Sequence, residues 1–230
     1  GNVQLEAMMK KLEKNFGVNT HRVPLITAYR ETIKGKSDVQ GRHKKQSGGA
    51  GQFGDVHIRF EPIEEGFVFE EDVFGGSVPK NYFPAIEKGL EDAMAKGPLA
   101  GYPVTGVKAT LYDGSYHAVD SNEMAFKLAA QIAFKKGIEE ADPILLEPIN
   151  AYEITIPDTY LGDIMGDMNK RRGRILGMNP DEYGNQVVSA EAPAAEMAEY
   201  AIDLRSMTQG RGFFTTQFAR YEQVPKALQD

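Results

Sequence analysis

Gly49-Ala50-Gly51-Gln52-Phe53-Gly54-Asp55-Val56-His57-Ile58-Arg59-Phe60 separates a nucleotide-binding fold from a strand-rich one. Through Val56 it satisfies both the dinucleotide-binding pattern G-x-G-x-x-G and the kinase glycine-loop pattern G-x-G-x-x-G-x-V. A dinucleotide loop must deliver its glycines to a helix N-terminus, whose free N–H groups and dipole hold the pyrophosphate. Here the glycines run instead into Val56–Phe60, where apolar and polar residues alternate with period two, the mark of a half-buried strand. The kinase arrangement tolerates a strand there, but it also needs H-R-D and D-F-G to supply a base and hold magnesium, and neither tripeptide occurs. The stretch is therefore a glycine-dense turn entering a strand, and not a nucleotide pocket.

The approach to the turn is basic. Lys34, Lys36, Arg42, Lys44 and Lys45 precede it, opposed among acids only by Asp38. Glycines remove the bulk that holds a main chain away from a partner, cations release the counterions of a phosphate backbone, and Gln52 offers a donor and an acceptor to a base or ribose edge. The competing reading is a plain glycine-rich hairpin with a solvated basic flank.

At 230 residues and 41% hydrophobic content the chain is long enough for one large or two ordinary domains with real cores. The absence of cysteine excludes disulfides and thiolate-held zinc, and the four histidines (His21, His43, His57, His117) show no i,i+4 ligand spacing. No apolar run is long enough to span a bilayer, so the expectation is a soluble cytoplasmic protein without a membrane partner. A net charge of −7 argues against indiscriminate nucleic-acid binding. The charge is partitioned, however: cations gather before the glycine turn and at Lys170-Arg171-Arg172-Gly173-Arg174, and acids between Glu61 and Asp72.

Residues 4–15 carry Leu5, Met8, Met9 and Leu12 at helical spacing, an amphipathic helix without evident partners that reads as the tail of a preceding domain. From about 20 to 150 the pattern is strand-rich with two helices. One spans Tyr82 to Lys96, with Ile86, Leu90, Ala93 and Met94 inward and Gly97-Pro98 as its stop. The other is expected to be capped by Asp120 with Glu123 in the capping-box place, to bury Phe126, Leu128, Ala129 and Ile132, and to close at Lys135-Lys136-Gly137. From 151 onward the order is strand, helix, strand, strand, helix, strand, with strands at 152–156, 174–178, 186–192 and 213–221 and helices at 161–170 and 195–204. That is the split βαβ, or ferredoxin-like, order.

These residues together resemble the C-terminal part of bacterial elongation factor G, the translational GTPase of tRNA and mRNA translocation, over nearly the whole chain. Gly1 to Glu6 is similar to the end of domain III, with Gln4 at a place where the family has histidine. Ala28-Tyr29-Arg30-Glu31-Thr32-Ile33 looks like the opening of domain IV, Ser47 to Gly54 like its first tip loop, and Gly114-Ser115-Tyr116-His117 through Asp120-Ser121 like its second. Gly75-Gly76-Ser77-Val78-Pro79-Lys80 and Leu146-Glu147-Pro148 are further matches. Asp167 to Gly173, Asp203-Leu204-Arg205-Ser206, Thr208-Gln209-Gly210-Arg211-Gly212 and Val224-Pro225 resemble domain V.

The resemblance implies an α+β chain: a domain III remnant at 1–20, a βαβ-containing sheet domain of the ribosomal protein S5 domain 2-like type at 21–150, and a ferredoxin-like βαββαβ domain at 151–230. It implies a monomer whose partners are the ribosome, ribosomal RNA, tRNA and mRNA. By analogy Gly48, Gly49, Gly51 and Gln52 form the first tip loop, His117, Asp120 and Ser121 the second, and Lys44 and Lys45 the basic approach. Arg171, Arg172 and Arg174 are candidates for ribosomal RNA contact, with the helix dipole as the competing explanation for bases there. No P-loop G-x-x-x-x-G-K-[ST] occurs, so the expectation is a non-enzymatic segment that holds no cofactor, GTP and magnesium belonging to the parent's G domain. Ala50, where many members carry arginine, and Phe53, in place of the commoner tyrosine, point toward a divergent paralogue. For such a paralogue ribosome recycling, with ribosome recycling factor as partner, is the alternative duty.

Rival readings are a Ser115–His117–Asp120 triad, a metal site of Asp113, His117 and Asp120, and a ferredoxin-like interaction module that never meets RNA. Triad members ordinarily arrive from separate parts of a fold, and Asp120 in one short loop with the others is read as a helix cap. A solvated loop is the plainer account of the metal set, and fold alone does not choose a partner for the module.

Overall fold

Alternating burial builds the first sheet. β2 (Ser37–Lys45) and β3 (Gln52–Pro62) form an antiparallel hairpin in the register Lys45↔Gln52 to Ser37↔Phe60. Val39 and Gly41 on β2, and Val56, Ile58 and Phe60 on β3, turn inward. β5 (Val107–Ser115) adds antiparallel to β3, and β4 (Phe67–Glu71) lies parallel to β5, giving the order β2-β3-β5-β4. The parallel pair requires a crossover, which α1 (Phe83–Ala93) provides. The computed structural model describes residues 25–46, 48–49 and 51–228; the segments 4–15 and 1–20 singled out in the sequence lie outside them.

α2 (Glu123–Glu140) covers β2 and β3 through its smallest residues. Ala125, Ala129, Ala130, Ala133 and Gly137 are buried, and the sheet answers with glycine: a Cβ on Gly41 would stand 2.1 Å from the Ala129 carbonyl oxygen and 2.6 Å from the Ala133 nitrogen. Main chain meets main chain at that point. Further along, Gly137 lies against the Phe60 ring, which meets Phe134 edge-on at 6.0 Å.

Four helix expectations of the first unit are corrected. The N-cap of α2 is Asn122, whose side chain accepts the Ala125 N–H at 2.8 Å, and not Asp120. The helix passes through Lys135-Lys136-Gly137 to Glu140, since Gly137 is an interior contact and not a stop, and Leu128 and Ile132 are only half-buried because the sheet-facing stripe runs through the alanines. α1 ends at Ala93, three residues before Lys96, after a 3-10 turn at Lys80–Tyr82.

The chain after α1 is held by Glu31 of β1 (Arg30–Ile33). This fully buried carboxylate accepts N–H bonds from Leu99 (2.8 Å), Ala100 (3.0 Å) and Tyr102 (2.8 Å), so backbone donors satisfy a charge that burial would otherwise penalise. β1 pairs with the first residues of β6 (Pro143–Pro157), in the register Arg30↔Leu146 to Ile33↔Pro143.

The second unit has α3 (Leu161–Lys170), β7 (Arg174–Pro180), β8 (Asn185–Pro193), α4 (Tyr200–Thr208) and β9 (Phe213–Gln223) after β6. β8 lies between β6 and β7 and pairs antiparallel with both, and β9 flanks β6, which is the ferredoxin-like order β9-β6-β8-β7. Tyr152, Tyr200 and Phe214 cluster at centroid distances of 5.2–6.3 Å over Ile154, Ile156, Ile164 and Val188. The helix expected at 195–204 begins later, at Tyr200, after a 3-10 turn at Ala194–Glu196, and runs on to Thr208. The division between the units falls between Leu146 and Glu147, within β6, and the chain from Gln223 returns to the first unit. Among the described residues no helix is long and apolar enough to cross a membrane.

Gly41→Ala is expected to lower unfolding free energy by about 2–3 kcal/mol in urea denaturation, because the added methyl must push α2 off the sheet. A change below about 0.5 kcal/mol would show that α2 and the sheet can part without loss.

Candidate nucleic-acid interface

Strand direction collects the loops at one end of the first sheet. β2 ends, β3 begins and β5 ends there, so the hairpin turn after Lys45 lies beside the segment Tyr116–Asn122 that leaves β5. A parallel bridge joins Phe53 to Ser121, with the Phe53 N–H donating to the Asp120 carbonyl at 3.0 Å. Ser121 closes the joint: its hydroxyl donates to the Phe53 carbonyl (2.9 Å) and accepts the His117 N–H (2.8 Å), while its own N–H donates to the His117 carbonyl (3.1 Å). From α1's entry, the Tyr82 hydroxyl donates to the Ser121 carbonyl at 3.2 Å, and the Tyr82 ring stacks on Phe126 of α2 at 4.6 Å.

The residues singled out from sequence divide by what they touch. Gly48 and Gly49 have nothing within 4 Å of a notional Cβ, so their backbone is bare at the apex. Gly51 is glycine for another reason: a Cβ there would stand 2.9 Å from an Asp120 carboxylate oxygen. Gln52 Oε1 accepts from His43 Nε2 across the hairpin at 2.8 Å. Lys44 and Lys45 are exposed, and the His117 side chain is 56% exposed. His117 Nδ1 accepts the N–H groups of Val119 (3.3 Å) and Asp120 (3.2 Å), so in the neutral ring the proton sits on Nε2. Asp120 lies 3.6 Å from the same nitrogen, and Ser121 is spent inside the joint.

Sequence inspection missed Asp55. Its buried carboxylate accepts Gln40 Nε2 of β2 and Ser115 Oγ of β5, each at 2.7 Å, pinning three strands just below the turn. Ser115 is thereby committed to Asp55, and the triad Ser115–His117–Asp120 is not assembled. Among the described residues no group of three or more His, Asp or Glu side chains is arranged to hold a metal ion. Asp113 is held below the usual carboxylate range by the Gly114 N–H and then by Ser77. Phe74, 93% exposed, was also missed; an isolated exposed aromatic leaves no periodic signal.

On the open face of the sheet, Tyr112 donates to Asp38 and carries the Arg59 guanidinium 4.0 Å above its ring. Burial first, and the Asp38 hydrogen bond second, push its phenol up to about 12.

In the second unit the basic cluster is largely spent internally. Arg171, with a side chain only 14% exposed, bonds Asp167 (2.8 Å), Asp203 and the Glu196 carbonyl (2.9 Å) and lies over the Tyr200 ring. Arg172 grips the nearly buried Glu147 through both nitrogens (2.8 and 3.0 Å) and reaches Glu196. Arg174 is 71% exposed and makes a single 3.3 Å contact to Glu191, a carboxylate that Arg220 already engages through two nitrogens.

The two units are thus an open sheet domain with an apex of stapled loops and a ferredoxin-like domain. The family model "Elongation factor G, domain IV" matches residues 26–142, and "Elongation factor G C-terminus" matches 144–230. The crystal structure of ttk003000868 from Thermus thermophilus is similar at 47% identity and a TM-score of 0.80, covering 96% of this chain and 33% of that one. The chain belongs to the elongation factor G family and carries its domain IV and C-terminal domain. It spans about a third of the length of the solved relative, and neither matched domain is the GTPase domain.

Two outcomes are expected. Ser121→Ala should speed amide hydrogen exchange at Phe53 and His117 by about tenfold while leaving the second unit unchanged, as the loss of about one net hydrogen bond requires. Because the Tyr112 phenol is raised in the folded state, its contribution to stability is complete below the ordinary tyrosine pKa near 10 and is lost as pH rises toward about 12. Burial raises the Tyr152 and Tyr200 phenols as well, so spectrophotometric titration should lose one of its late-ionising tyrosines, and not all of them, in Tyr112→Phe, and an unchanged curve would refute the assignment.

Proposed function

We propose that this chain is the ribosome-contacting C-terminal part of a translation elongation factor that promotes tRNA–mRNA translocation, with the stapled loops as the element that meets RNA. The observation that carries the reading is the Phe53–Ser121 joint, which makes one apex of two loops far apart in sequence. The apex combines bare backbone at Gly48 and Gly49, exposed Lys44 and Lys45, and an exposed imidazole at His117. Such a surface suits close approach to a phosphate backbone followed by polar contact with a base or ribose. The partners are ribosomal RNA, tRNA and mRNA; Arg174, with its exposed head, serves the second unit. The factor acts as a cytoplasmic monomer, and GTP with magnesium is handled by a G domain outside this chain, so these units transmit the nucleotide chemistry and do not perform it.

His117 bonds its own loop through Nδ1 and leaves Nε2–H as a donor, so its removal should leave the sheet and core intact while affecting the RNA step, both directly and through the Val119 and Asp120 N–H groups that lose their acceptor. In single-round translocation by the full-length parent factor, His117→Ala is expected to slow movement by about tenfold or more with GTP hydrolysis unchanged. Unchanged translocation would remove His117 from the coupling step. A wild-type factor that splits ribosomes but does not translocate them would assign the chain to recycling.

A further inference from the structure

Beside the apex, on the sheet face that α2 leaves open, a row of planar and cationic groups is not used by the joint. Lys44 stands directly across the hairpin from Phe53, and Arg42, two residues earlier on β2, shares that face. The Arg42 guanidinium lies over the Phe53 ring, 5.2 Å from its centroid, and the His117 ring stands 6.5 Å from that centroid, tilted by 56°. The sheet holds a second arginine on an aromatic, Arg59 over Tyr112, and the comparison is informative. Arg59 is neutralised by Asp38 at 3.6 Å, the carboxylate to which the Tyr112 hydroxyl also donates. Arg42 faces Asp55 in the strand register, but both Asp55 oxygens are taken by Gln40 and Ser115. Arg42 is exposed and has no ion-pair partner among the described residues.

We propose that Arg42, Lys44, Phe53 and His117 form a ledge that stacks one unpaired RNA base on Phe53, with Arg42 and Lys44 taking the phosphates on either side of it. The proposal rests on the ribosomal reading above and specifies its chemistry: a single-stranded segment, not a duplex backbone. Stacking on an aromatic is tolerant of base identity, and a neighbouring arginine adds attraction to the base and to its phosphate. An arginine already paired with a carboxylate, as at Tyr112, would first have to surrender that partner.

The chain contains no tryptophan, so Phe53→Trp places its sole indole on the ledge. Titration with a short single-stranded oligouridylate should quench that indole, and inorganic polyphosphate at equal ionic strength should not. Arg42→Ala in the Phe53→Trp background should weaken the quenching titration about tenfold, and Phe53→Leu, which keeps apolar bulk without a π-face, should weaken binding of a labelled oligouridylate by a similar factor. Equal quenching by polyphosphate, or Phe53→Leu binding like the wild type, would overturn the ledge. Pelleting with ribosomes separates the two readings. Ribosome binding that depends on Phe53 without any quenching by RNA would make the ledge a protein contact and overturn it. A wild-type chain that fails to pellet yet shows base-dependent quenching would overturn the ribosomal reading and leave the ledge standing.

Discussion

The first unit depends on the approach of α2 to β2 and β3 at Gly41 and Gly54, where no side chain separates helix from sheet. That contact fixes the depth and axial position of α2, and so fixes where Asn122, its cap, must lie. Ser121 precedes the cap by one residue, so the same contact brings its hydroxyl to the Phe53 carbonyl. A helix held farther out by larger residues would carry the second loop away from the first. The apex is therefore a consequence of core packing, and its two loops need no contact at their tips to be held together.

The two units use their cations in opposite ways. In the ferredoxin-like unit Arg171 and Arg172 close the end of α3, each with several oxygen partners, and Glu147 would be a buried unpaired charge without Arg172. Arg42, Lys44 and Lys45 have no such partners among the described residues, and the acid facing Arg42 in register, Asp55, is committed to neutral donors. Choosing Gln40 and Ser115 to satisfy Asp55 leaves the cationic face unneutralised. Partner identity, more than the count of basic residues, separates a structural arginine from one available to a phosphate.

What was legible in the sequence follows from the range of each signal. Period-two alternation identified β3 and rejected the nucleotide reading, because each inward residue reports its own burial. The ferredoxin-like order was legible for the same reason. The cap of α2 was not: Asp120 and Asn122 are both capping residue types, and the choice falls to Asn122 because Asp120 is drawn into the Phe53 bridge, a contact remote in sequence. Gly137 after two lysines has the local appearance of a helix stop, yet the Phe60 ring on another element needs that space. The Asp55 clamp joins residues on three strands and is invisible until the strands are paired. The loops of the apex were found through the family resemblance and through glycine and lysine content; that Ser121 serves the joint was beyond both.

The remaining tension is electrostatic, since a chain of net charge −7 is read as an RNA-contacting element. At physiological ionic strength the screening length is about 8 Å, shorter than a domain, so a phosphate at the apex responds to the charges within its own neighbourhood. The charges there are the exposed cations of β2 and the Asp120 carboxylate, which lies close to His117 and Gly51. The acids of the segment from Glu61 to Asp72 begin on the far end of β3 and continue through β4. Repulsion from those acids disfavours lying along a polyanion, whereas approach by the apex alone keeps them farther away. The acidic balance thus favours end-on contact over lateral binding, in keeping with the RNA contact proposed for the apex.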